Sequence, residues 1–142
     1  MQAVRVLVVD DSRFVRRIIK LLLEATGDFV VVGEAADGED GLAKARDLHP
    51  DVITLDVDMP MLDGLGMLHC LRQESDVPVV FVTGLPGLAD ELARRPQGLG
   101  AVDTVVKTFS DHALDLSLFG DELVAKLREI LYSPGMKRDE RD

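Results

Sequence analysis

The stretch Val52-Ile53-Thr54-Leu55, closed by Asp56 and followed by Val57-Asp58-Met59-Pro60, is apolar on consecutive positions instead of alternating. Such a run implies burial on both faces, as in a central strand of a parallel sheet covered by helices on either side. Working outward, short Val-, Ile- and Leu-rich runs alternate with segments of helical period, which is the pattern of repeated βα units. Strands are predicted over residues 4–9 and 30–35 upstream, and over 77–82 and 102–106 downstream. A helix over 13–25 carries Val15, Ile18, Ile19, Leu22 and Leu23 on one stripe, with Asp11 and Ser12 where its N-cap belongs. A second helix follows Asp37-Gly38, carries Leu42, Ala45 and Leu48, and stops before Pro50. A loop over 56–63 opens a third with Leu65, Leu68 and Leu71. Residues 85–95 are helical in period but are bounded by Pro86, Gly87, Pro96 and Gly98, and a last helix covers about 121–131, with Leu123, Val124, Leu127 and Ile130 inward.

Right-handed crossovers turn this pattern into an α/β, doubly wound, five-stranded parallel sheet of order 2-1-3-4-5, flavodoxin-like and three-layered. The 142 residues suit one domain, read as 1–132, with 133–142 a charged tail or linker. Sixteen basic against 26 acidic residues give a net charge of -10, which repels phosphate backbones and anionic membranes. Neither nucleic acid nor membrane is therefore an expected partner. The apolar runs fall far short of the roughly 20 residues that span a bilayer, and no signal peptide opens the chain, so a cytoplasmic location is expected. Cys70 is the only cysteine, and His49, His69 and His112 lie far apart, so neither a disulfide nor a thiolate or histidine metal site is expected within the chain.

Ligands of doubly wound sheets bind beyond the carboxyl ends of the strands. The first strand ends at Asp10-Asp11, the third at Asp56, the fourth at Thr83-Gly84 and the fifth at Lys107. One edge thus gathers three carboxylates, a hydroxyl and an ammonium. Close carboxylates repel and have raised pKa values unless a cation neutralises them. All-oxygen ligands completed by water describe an Mg²⁺ site. Asp56 is placed as a nucleophile that forms an acyl phosphate, with Lys107 and the metal offsetting phosphoryl charge and Thr83 hydrogen-bonding a phosphoryl oxygen. Singly, Asp11 reads equally well as a helix cap, Thr83 as a turn hydroxyl and Lys107 as a solvated strand end. Their recurrence at the same end of four strands is what makes a site of them.

The blocks VLVVDDSRFVRRIIKLLL (6–23), DVITLDVDMPMLDGL (51–65), PVVFVTG (78–84) and GAVDTVVK (100–107) resemble the signature blocks of bacterial response-regulator (CheY-like) receivers over residues 4–131. The resemblance implies that Asp10 and Asp11 surround Mg²⁺, Asp11 directly and Asp10 largely through water. It implies that Asp56 is phosphoacceptor and metal ligand, that the Asp58 backbone carbonyl is a further ligand, and that Thr83 and Lys107 bind the phosphoryl group. Pro60 and Gly64 fit the turn after the acceptor, and Asp58 and Leu85 flank the route of the attacking water. The implied partners are a histidine kinase or phosphotransfer protein and a downstream effector domain or protein, and the implied state is a monomer or weak dimer. In this family the chain catalyses only its own phosphorylation and dephosphorylation.

The run from Asp56 to Pro60 is similar to the receiver of chemotaxis methylesterases, although no G-x-S-x-G elbow occurs. Two positions depart from the family: Thr104 stands where an aromatic residue is usual, and Thr108 where a proline follows the lysine. The segment 84–100 is therefore expected to carry the response. Asp56-Val57-Asp58 also fits the nucleophile pair of haloacid-dehalogenase-type phosphohydrolases, but the acidic pair upstream and Pro60 fit that reading poorly. A pseudo-receiver is a third reading, opposed by Asp11, Asp56, Thr83 and Lys107 together.

Overall fold

The structure, a computed structural model, describes residues 3–59, 64–85, 103–109 and 116–132. Strands β1 (Val4–Val9), β2 (Phe29–Ala35), β3 (Val52–Asp56), β4 (Val79–Thr83) and β5 (Asp103–Val106) pair in parallel in the order β2-β1-β3-β4-β5. Helices α1 (Arg13–Glu24), α2 (Gly38–Leu48), α3 (Gly64–Leu71) and α4 (Ser117–Tyr132) complete the described elements. The fold class and strand order are those read from the sequence.

Alternation along the strands feeds two cores. On one face Val6, Val8, Val52 and Val80 pack with Ile19, Leu23, Phe119 and Leu123 of α1 and α4. On the other Leu7, Ile53, Leu55 and Phe81 pack with Leu42, Met67 and Leu68 of α2 and α3. Every residue of β3 is buried, as its unbroken apolar run requires.

Two element starts differ from the sequence reading by two residues or more. β4 starts at Val79, because Pro78 has no N–H for the ladder and contributes only its carbonyl, which accepts from Ile53. α4 starts at Ser117, ahead of 121, and takes in Gly120, where an added Cβ would meet Leu22 Cδ2 at 3.0 Å. Gly120 thus allows α4 to lie close to α1 at a small cost in helix propensity. The N-cap of α1 is Ser12, whose hydroxyl accepts from Val15 N at 3.2 Å, so Asp11 is not occupied as a cap. The interrupted helix read over 85–95, the tail 133–142, Pro60 and His112 lie outside the described residues, apart from Leu85 itself. No described helix is long and apolar enough to cross a membrane.

Candidate functional site

Because the strands are parallel, their carboxyl ends share one edge, and β1 and β3 at the centre of the sheet deliver Asp10 and Asp56 side by side. Both are almost wholly buried, at 1% and 2% exposure, while Asp11 stays exposed. One carboxylate oxygen from each of Asp10, Asp11 and Asp56 lies within 4.8 Å of the others. Lys107 follows β5 and is held by its backbone N–H, which donates to the Thr83 carbonyl at 2.8 Å. Its Nζ reaches 3.0 Å from Asp10 Oδ2 and 3.4 Å from Asp56 Oδ1. The Asp10 carboxylate also accepts from Ser12 N at 2.9 Å, and its carbonyl accepts from Arg16 Nη1 at 2.7 Å, which fixes the β1–α1 turn.

Burial pushes the Asp56 carboxyl up to about 6, with Asp10 adding to the rise and the Asp58 N–H and Lys107 opposing it. The sequence supplied repulsion as the reason for such a rise; in the structure desolvation comes first. For Lys107, burial pulls downward, but attraction to Asp10 and Asp56 outweighs it and leaves the ammonium above its ordinary value. Three carboxylates facing one ammonium leave uncompensated negative charge and an all-oxygen donor set, which fits a hard divalent cation. With one oxygen of each carboxylate within 4.8 Å of the others, the cluster is close enough that these groups, with water, would hold such an ion.

Thr83 sits at the end of β4 with its hydroxyl engaged elsewhere: it donates to the Asp58 carboxylate, at 3.1 and 3.2 Å, and accepts from Leu85 N at 3.1 Å. Gly84 N donates to Asp58 Oδ2 at 3.0 Å, and Asp58 N donates to Asp56 Oδ1 at 2.9 Å. Sequence reasoning gave Asp58 a backbone carbonyl and a place beside the water route, and missed its carboxylate as the partner of Thr83. Gly64 is explained by close approach, since a Cβ there would fall 2.6 Å from the Asp56 carbonyl oxygen. Thr104 pairs in register with Phe81, is buried, and its hydroxyl has no hydrogen-bond partner among the described residues. A second aromatic residue, Phe109, was not singled out in the sequence and packs on the other face of the sheet, against the core that holds Val105 and Phe119. Phe109 lies edge-on between Phe119, at 4.9 Å, and Phe14, at 6.5 Å. Its position two residues beyond Lys107 was the available signal.

The response regulator receiver domain family matches residues 6–118. A protein-glutamate methylesterase/protein-glutamine glutaminase of Symbiobacterium thermophilum is 46% identical over 125 residues, covering 88% of this chain and 34% of that protein. A protein of the same name, numbered 5, from Myxococcus xanthus is 45% identical over 125 residues, covering 88% of this chain and 36% of that protein. This chain thus spans about a third of the length of these curated relatives. Among solved structures, the response regulator domain of Thermotoga maritima CheB superposes with a TM-score of 0.81 at 35% identity, over 90% of this chain and 96% of that one. The Vibrio cholerae chemotaxis protein CheY4 superposes with a TM-score of 0.72 at 30% identity, over 92% and 100%.

Proposed function

The chain belongs to the response regulator receiver domain family, and from that premise we propose that Asp56 is its phosphoacceptor. The observation that carries the proposal is the meeting of Asp10, Asp11 and Asp56 within 4.8 Å, with Lys107 3.4 Å from Asp56, at the carboxyl edge of the sheet. An Asp56 oxygen attacks the donor phosphorus, an O–P bond forms, and the bond to the leaving group breaks with its electron pair departing on that group. The carboxylate needs no base, because it is the ionised form that attacks. Lys107 then faces the phosphoryl oxygens as a point charge, and Thr83 donates a hydrogen bond to one of them. Asp11 and Asp56 would hold Mg²⁺ directly, Asp10 through water, and the Asp58 backbone carbonyl as a further ligand. When bound, the ion offsets charge on the transferring group.

The donor is a histidine kinase or phosphotransfer protein of a two-component pathway, and the output passes to an effector domain or protein. The likeness to protein-glutamate methylesterases and to a chemotaxis protein supports an effector of methylesterase type and a chemotaxis setting. Residues 1–132 act as the receiver, a monomer or weak dimer in the cytoplasm, with 133–142 as a charged tail or linker. The test is incubation with Mg²⁺ and acetyl phosphate followed by intact mass: one alkali-labile phosphoryl group per chain is expected, and none in Asp56→Asn. Repeated turnover of a phosphomonoester would point instead to the phosphohydrolase reading, and no adduct at all to a pseudo-receiver.

A further inference from the structure

A hydroxyl carries a single proton, and that of Thr83 is committed to the Asp58 carboxylate, at 3.1 and 3.2 Å. The lone-pair side of the same oxygen takes the Leu85 N–H at 3.1 Å, so the group is engaged on both sides. The main-chain N–H of Gly84 points to the same carboxylate, at 3.0 Å from Oδ2. Around Gly84, the only described side-chain or backbone atom that an added Cβ would approach within 4 Å is that Oδ2, apart from its immediate chain neighbours. The end of β4 therefore presents two donors that converge on one anion, and the anion is Asp58. The same residue is tied by its own N–H to Asp56 Oδ1, at 2.9 Å. Asp56 pairs in register with Val82, so Thr83 and Gly84 are the next residues along the strand that flanks it. A phosphoryl group on Asp56 brings oxygens that seek donors at this place, and the Thr83 proton cannot serve two acceptors at once.

We propose that the Asp58 carboxylate is a resident anion that holds Thr83 and Gly84 in the resting state and competes with the phosphoryl group for their donors. This rests on the phosphoacceptor reading of Asp56. Asp58 is then a positioning residue that sets how readily the phosphorylated conformation forms. Charge-assisted hydrogen bonds to a carboxylate are stronger than neutral ones. Removing the carboxylate frees both donors, whereas Asp58→Asn keeps an acceptor oxygen without the charge.

The experiment is a double-mutant cycle on beryllofluoride binding with Mg²⁺, read from amide spectra, using Asp58→Ala, Asp58→Asn, Thr83→Ala and Asp58→Ala/Thr83→Ala. Asp58→Ala is expected to tighten apparent binding at least threefold and to move the free-protein Thr83 methyl resonance toward its bound position. Asp58→Asn should fall between Asp58→Ala and wild type, and in the Thr83→Ala background the Asp58→Ala gain should vanish. A gain of equal size with and without the Thr83 hydroxyl would overturn the proposal, because Asp58 would then act on the phosphoryl charge directly. So would an Asp58→Ala protein that binds as wild type does. A wild-type chain that takes neither beryllofluoride nor phosphate overturns the phosphoacceptor reading itself, an outcome distinct from a wild-type adduct insensitive to Asp58.

Discussion

The middle of the sheet and its β4–β5 flank present the same edge in different physical states. At the middle, Asp10 and Asp56 are 1% and 2% exposed, and Lys107 lies within 3.4 Å of both. At the flank, the Thr83 hydroxyl is held by a loop carboxylate, and Thr104 is buried with its hydroxyl unpaired among the described residues. The central groups have little room to choose another arrangement. The flanking ones have partners that could be exchanged, and an unpaired hydroxyl that loses nothing if it moves. On the proposed reading, the contrast sets the groups that hold the phosphoacceptor and metal apart from a flank that binds the phosphoryl group through Thr83 and passes the change on.

The sharpest way to break that division is Asp56→Asn, which keeps volume and removes the nucleophile. Phosphorylation should be lost entirely while far-UV circular dichroism and amide dispersion persist; a residual adduct would place the chemistry elsewhere. Next in size is Lys107→Ala. It strips the ammonium from two buried carboxylates, should cost on the order of 3 kcal/mol in urea unfolding, and should raise the Asp56 carboxyl further, because Lys107 is one of the groups holding it down. Its phosphorylated form should show less than the full wild-type change in amide spectra, since the tie from β5 to the phosphoryl group is gone.

A third effect is pH-dependent and belongs to the metal-free protein. The Asp56 carboxyl is raised from its ordinary 3.8 to about 6 in the folded state, so between those values the folded chain binds more protons than the unfolded one. Stability contributed by this group is therefore fully present below pH 3.8 and is lost as pH rises through about 6. The loss is on the order of 3 kcal/mol. Urea midpoints from pH 4 upward should show this component in wild type and lack it in Asp56→Asn, and saturating Mg²⁺ should reduce it. The smallest expected effect is that of Thr104→Val, which removes a buried unpaired hydroxyl and should change stability by under about 1 kcal/mol, toward higher stability. Phosphorylation of Asp56 should be unchanged, and a large loss of it would mean that position 104 shares in the chemistry.

The division also tracks what could be read from the residues in order. Val52–Asp56 announced a central strand because burial on both faces leaves no alternation, and the ends of four strands then named Asp10, Asp11, Asp56, Thr83 and Lys107. Strand ends are legible because topology alone brings them together. The link between Thr83 and Asp58 was not, because the two lie 25 residues apart and meet through the path of a loop, which carries no period. The early start of α4 was hidden for a related reason. Gly120 reads as a breaker by propensity, and only its contact with Leu22 explains its place inside a helix. Phe109 was hidden because its ring contacts, with Phe14 and Phe119, form only when the chain folds.

The central claim, that the buried carboxylate ending β3 is the group that takes phosphate, is tested most directly by reductive trapping after reaction with acetyl phosphate and Mg²⁺. Borohydride converts an aspartyl phosphate to homoserine, and peptide mass mapping then locates it. Homoserine is expected at position 56 alone, with Asp10, Asp11 and Asp58 intact. Homoserine at any of those three positions, with Asp56 unmodified, would contradict it.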